Sequence, residues 1–84
     1  MNKFEQLAKK LGNDNLLKSD DNLINNNFRQ AISYYLSSNG YFLIDIAKWQ
    51  GTNKAVVMMQ IKAFKDSLNK KDKLSVELWN KLNS

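Results

Sequence analysis

Leu43-Ile44-Asp45-Ile46-Ala47-Lys48-Trp49-Gln50-Gly51-Thr52-Asn53-Lys54-Ala55-Val56-Val57 holds the spacing that decides the fold. Within it Ala47, Gly51 and Val57 follow an Ala-x3-Gly-x5-Val pattern, with Ile46 beside the alanine. In a helix-turn-helix, a small residue on the first helix lets the second cross close by. A glycine takes the positive φ angle of the sharp turn, and a branched residue fills the angle between the helices. The stretch therefore predicts a helix over 42–50 with Leu43, Ile46, Ala47 and Trp49 toward the core, ended by Gly51. A second helix follows, capped by Thr52 or Asn53 and running to about Asn69, with the unit as a whole covering about 42–69.

The second helix carries an apolar stripe of Val57, Ile61, Phe64 and Leu68. At about 100° per residue, Ala55, Met59, Lys62 and Asp66 fall on the opposite side, with Met58 and Lys65 on a flank. In a helix-turn-helix this outward face and its first turn meet base edges in the major groove. Thr52, Asn53, Lys54, Ala55 and Met59 are the base-reading candidates. An Asn amide can pair with adenine, a Lys can reach guanine, and Ala or Met can touch a thymine methyl. Lys48, Lys62, Lys65, Lys70 and Lys71 are the candidates for phosphate contacts.

Working outward, Phe4, Leu7, Ala8 and Leu11 recur at helical spacing, and Gly12-Asn13 stops that helix. Asn13-Asp14-Asn15 reads as the cap of a short turn carrying Leu16 and Leu17, and Lys18 to Asn22 is polar and irregular. A longer helix over 22–38, capped from among Asp20, Asp21 and Asn22, presents Ile24, Phe28, Ala31, Ile32, Tyr35 and Leu36 on one face. Ser37-Ser38-Asn39-Gly40 breaks it. After a break at 69–71, Asp72 or Ser75 caps a last helix with Val76, Trp79 and Leu82 on one side. The expectation is an all-α, compact bundle of five or six helices containing a helix-turn-helix, a single helical domain over 1–84. No internal repeat or linker interrupts it.

Composition narrows the chemistry. With 43% hydrophobic residues among 84, the chain can bury a core, and the lack of proline favours long helices. There is no cysteine and no histidine, so thiolate chemistry, zinc knuckles and the commonest general base are absent. No Gly-rich phosphate loop occurs, and the acids are scattered. The chain reads as a protein with no catalytic residues, no cofactor and no metal. The first residues lack an apolar leader and no run is long enough to span a bilayer, so no membrane role and a cytoplasmic location are expected.

Charge is uneven. In residues 1–45, Lys3, Lys9, Lys10, Lys18 and Arg29 balance Glu5, Asp14, Asp20, Asp21 and Asp45. In residues 46–84, eight lysines (48, 54, 62, 65, 70, 71, 73 and 81) face three acids (66, 72 and 77), so the whole net charge of +5 lies there. An anionic partner suits that half; so does a merely solubilising surface.

Phe28-Arg29-Gln30-Ala31-Ile32-Ser33-Tyr34-Tyr35-Leu36, followed by Leu43 through Gly51, resembles the C-terminal DNA-binding domain of bacterial DnaA replication initiators. That family has an Arg-Gln-x-Ala-x-Tyr-Leu type of helix and then Leu-x-Glu-Ile-Gly-x-x-Phe-Gly. Val57, Phe64 and Leu68 fall in register with family core positions, and Phe4 to Leu17 resembles its opening helix and turn. The resemblance implies a helix-turn-helix that binds double-stranded DNA, without the family's ATPase module. The family's reading turn is Gly-Gly-Arg-Asp-His-Thr-Thr. Here Thr52, Asn53, Lys54, Ala55 and Val56 take the Arg, Asp, His, Thr and Thr positions, and none is retained. Lys18-Ser19-Asp20-Asp21 stands where the family has a basic minor-groove loop, and its acids would be repelled by phosphate.

Two functions follow. The first is a small non-enzymatic DNA-binding protein, a regulator of phage or mobile-element type with altered sequence preference. The alternative is an inhibitor or adaptor that uses the same scaffold to bind a protein through Val56, Met58 and Met59. The oligomeric state is left open, with a homodimer through the last helix and Trp79 as one option.

Overall fold

The computed structural model describes residues 2–13 and 23–84. The expected turn carrying Leu16 and Leu17, the caps at Asp20 to Asn22 and the side chain of Ile24 lie outside the described residues. Five helices are present among the described residues: α1 (Lys3–Lys10), α2 (Leu23–Ser38), α3 (Leu43–Gln50), α4 (Lys54–Asn69) and α5 (Lys73–Leu82). The fold is all-α, and α2 is its axis, touching each of the other four helices.

Local chemistry sets the boundaries. Asn2 caps α1 by accepting from the Glu5 N–H at 2.8 Å, and its amide also donates to the Trp49 carbonyl at 3.0 Å, tying α1 to the end of α3. Asp72 caps α5, accepting from the backbone N–H and the hydroxyl of Ser75 at 3.1 and 2.9 Å. The helices from α1 to α4 each end in a left-handed residue: Gly12, Gly40, Gly51 and Lys71.

The core is built from Phe4, Ala31, Ile32, Leu36, Ile46, Val57, Phe64 and Leu82, all fully buried, with Leu7, Ala8, Leu11, Ala47 and Leu78 around them. One detail differs from the periodicity reading. On α5 the buried residues are Ser75, Leu78 and Leu82, so Leu78 replaces Val76 as the core anchor. Trp79 is half-buried. Its ring packs on Tyr34, Tyr35 and Phe64 at centroid distances of 5.1, 5.9 and 6.2 Å, which places it within the monomer's aromatic cluster. Among the described residues no helix is long and apolar enough to cross a membrane.

Candidate nucleic-acid interface

The turn between α3 and α4 has the geometry its sequence demands. Gly51 sits at φ 80° and ψ 33°, the left-handed region that an L side chain enters only at a cost. Its N–H reaches the Lys48 carbonyl at 3.2 Å while the Thr52 N–H reaches the Ala47 carbonyl at 2.9 Å, a Schellman closure that satisfies the last carbonyls of α3. Ala47 and Val57 are buried at the crossing, as the spacing requires.

Asn53 then caps α4. Its side-chain oxygen accepts from the Val56 N–H at 3.0 Å, which settles the choice between Thr52 and Asn53 as the cap. The amide nitrogen of Asn53 stays directed to its exposed surroundings as a donor, whereas one acceptor site of its oxygen is occupied by the helix. Thr52 is half-buried in the turn, and Lys54 and Ala55 are exposed.

The outward face of α4 is the one the helical wheel gives: Ala55, Met59, Lys62 and Asp66 are all exposed. Met59 is 71% exposed and Met58 53%, while Val56 is half-buried. Lys48, Lys62, Lys65, Lys70 and Lys71 are exposed as well. Lys48 stands on α3, Lys62 and Lys65 on α4, and Lys70 and Lys71 in the turn after it. Along the inward stripe, Ile61 and Leu68 are half-buried beside the fully buried Val57 and Phe64.

A polar knot under the turn was not expected from sequence. Gln50, the last residue of α3, and Gln60, two turns into α4, exchange amide hydrogen bonds at 2.6 and 2.9 Å. Ser33, fully buried on α2, donates to the Gln60 oxygen at 2.8 Å and accepts from the Gln50 nitrogen at 3.3 Å. Three helices are thereby joined at one point, and among the described residues no buried side-chain polar atom lacks a partner. Beside the knot lies an open cleft of about 350 Å³, lined by Asn26, Arg29, Gln50, Gly51, Thr52, Val56 and Gln60. Arg29 is buried at its edge and donates to the Asn26 side-chain oxygen at 3.2 Å. The only sequence signal for the knot was the pair of glutamines ten residues apart across the glycine; nothing in their spacing distinguished them from surface polar residues.

The arrangement presents an exposed helix face. A rigid crossing holds one helix with its outer face and first turn clear of the body, edged by lysines. Among the described residues no group of three or more His, Cys, Asp or Glu is placed to hold a metal ion. Comparison with protein-family models, with curated proteins and with solved structures finds no match to this chain.

Proposed function

We propose that the chain is a non-enzymatic DNA-binding protein that reads duplex DNA with α4. The observation that carries the reading is the uncovered outer face of α4, which runs from Lys54 and Ala55 through Met59 to Lys62. Lys48 on α3 and Lys65 on α4 are exposed as well, and the Gly51 turn holds the first residues of α4 outward. The likeness to DnaA C-terminal domains supports the same docking mode. The changed residues at 52–56 support a sequence preference of its own. The lysines supply the phosphate contacts, with Lys70 and Lys71 beyond the end of α4; Lys54, Ala55, Met59 and the Asn53 amide nitrogen supply the base contacts.

Fluorescence anisotropy with random duplex DNA at about 50 and 200 mM salt tests this. Four to six lysine contacts should cost about 10²- to 10³-fold in affinity between the two conditions. No binding at the lower salt, or binding indifferent to salt, overturns the reading.

A second reading draws on the exposed methionines. Met58 and Met59 together present more adaptable apolar surface than base recognition needs, and such a surface suits a protein partner. Under that reading Met59→Glu abolishes partner binding while lysine substitutions change little.

A further inference from the structure

Neither reading uses the apolar wall of the groove at the start of α3, although the DNA reading draws on Lys54 at its edge. Phe42 and Ile44 are 74% and 58% exposed, among the large apolar side chains that the fold leaves in water. With Leu43 and Lys54 they line a depression of about 350 Å³ between the start of α3 and the first residue of α4. Removing such side chains from water is favourable, so their exposure favours a partner that covers them.

The end of α3 adds an electrostatic component. Phe42 occupies the N-cap position, which ordinarily holds Ser, Thr, Asp or Asn, and makes no side-chain cap hydrogen bond. The positive end of the α3 dipole lies at this edge of the groove, partly offset by Asp45 in the same turn, and the Asp45 and Ile46 N–H groups already donate to the Phe42 carbonyl at 3.1 Å. Cations lie on both helices beside it. Ile44 and Lys48 stand one turn apart on α3, and Lys54 and Met58 one turn apart on α4. The nearest acid along the chain is Asp45, half-buried in the first turn of α3.

We infer that this groove docks an acidic amphipathic segment of a partner protein. A bulky apolar side chain of that segment seats on Phe42, Leu43 and Ile44, and a carboxylate one helical turn away meets Lys54 and the α3 N-terminus. The chemistry selects among occupants. A DNA backbone offers negative charge but no apolar counterpart for Phe42 and Ile44. A second copy docked symmetrically would bring Lys48 and Lys54 of one chain against the same lysines of the other, a like-charge juxtaposition. An acidic apolar segment satisfies both components at once.

The probe is a synthetic helical peptide with Leu at i and i+4 and Glu on the flanks, titrated into the isotope-labelled full chain and followed by backbone amide NMR. Two control peptides replace Leu by Ser or Glu by Lys. The expected result is saturable shifts at Phe42, Leu43, Ile44 and Lys54 with the first peptide, weakened at least about tenfold with either control. Ile44→Ser and Lys54→Glu should each weaken binding by a similar factor, while Ile44→Leu retains it. Ile44 is mostly exposed, so these variants keep the fold, as the unchanged dispersion of the remaining amides would show.

Equal binding of the Ser-containing control shows charge attraction alone and overturns the inference, as does the absence of shifts. A short DNA duplex that shifts the same residues and is weakened as much by Ile44→Ser assigns the groove to DNA, which also overturns it and leaves the DNA reading standing. Peptide binding in a chain that binds no duplex would sink the DNA reading and keep this one.

Discussion

Gln50 and Gln60 hold each other by two amide hydrogen bonds, at 2.6 and 2.9 Å, across the turn that joins their helices. A hydrophobic contact at this point would tolerate a range of crossing angles. A reciprocal amide pair anchored on Ser33 tolerates far fewer, because each bond fixes both a distance and a direction. Replacing Gln60 by Leu leaves the amide of Gln50 and the hydroxyl of Ser33 short of partners in a partly buried site. The expected cost is about 1–3 kcal/mol. Replacing both glutamines by Leu should cost less than the two single changes summed, and urea unfolding of the three variants measures the coupling.

The left-handed residues Gly51 and Lys71 predict opposite outcomes for opposite substitutions. A Cβ added at Gly51 would meet no atom within 4 Å, so the penalty of Gly51→Ala is backbone strain alone, about 1–2 kcal/mol. Lys71 already carries that strain at φ 58°, with its N–H on the Leu68 carbonyl and the Asp72 N–H on the Ser67 carbonyl, both at 3.0 Å. Lys71→Gly should therefore stabilise the fold by about 0.5–1 kcal/mol, even though glycine usually weakens a chain. Thermal unfolding of the two variants side by side checks the sign of each.

Under the DNA reading, capping and base contact meet in Asn53, and a conservative change separates them. Asn53→Asp keeps an oxygen to accept from the Val56 N–H and suits a helix N-terminus, so stability should hold within about 0.5 kcal/mol. The same change removes the amide donor and brings a negative charge to the DNA, so duplex affinity should fall. Asn53→Ala loses the cap and should cost about 1 kcal/mol of stability. Should the Asp variant bind DNA as tightly as the parent, Asn53 caps the helix and does nothing more.

The lysines divide by role under the DNA reading. Lys62→Ala or Lys65→Ala should weaken binding to all sequences alike and lower the slope of log affinity against log salt by roughly one. Lys54→Ala, at the first turn of α4, should cost about 1–3 kcal/mol and relax preference at a single base pair. Anisotropy titrations on a selected site and on a scrambled one distinguish the two patterns.

The helix-turn-helix was legible because its determinants are local. Ala47, Gly51 and Val57 lie within eleven residues, and each role follows from side-chain size or backbone freedom. The exposed face of α4 followed by geometry from the buried stripe, and Ala55, Met59, Lys62 and Asp66 lie where the wheel puts them. The glutamine knot was not legible, since Ser33 and Gln60 are 27 residues apart and polar residues give no periodic signal of burial. Leu78 was passed over for Val76 because α5 is short, and two adjacent apolar phases fit its sequence until Trp79 commits its ring to Tyr34. The groove at Phe42 escaped for a related reason: residues around a helix start read as core by composition, and only the packed fold shows which of them nothing covers.

The aromatic contacts give the molecule two independent optical reporters. Trp79 packs among Tyr34, Tyr35 and Phe64 at the α2–α5 side, whereas Trp49, in the last turn of α3, meets Tyr41 edge-on at 5.5 Å. Emission from a Trp49→Phe chain would follow melting of the α2–α5 side, and emission from a Trp79→Phe chain would follow changes around Tyr41 and α3. One fluorimeter can thus tell loosening of one side of the bundle from a change at the other.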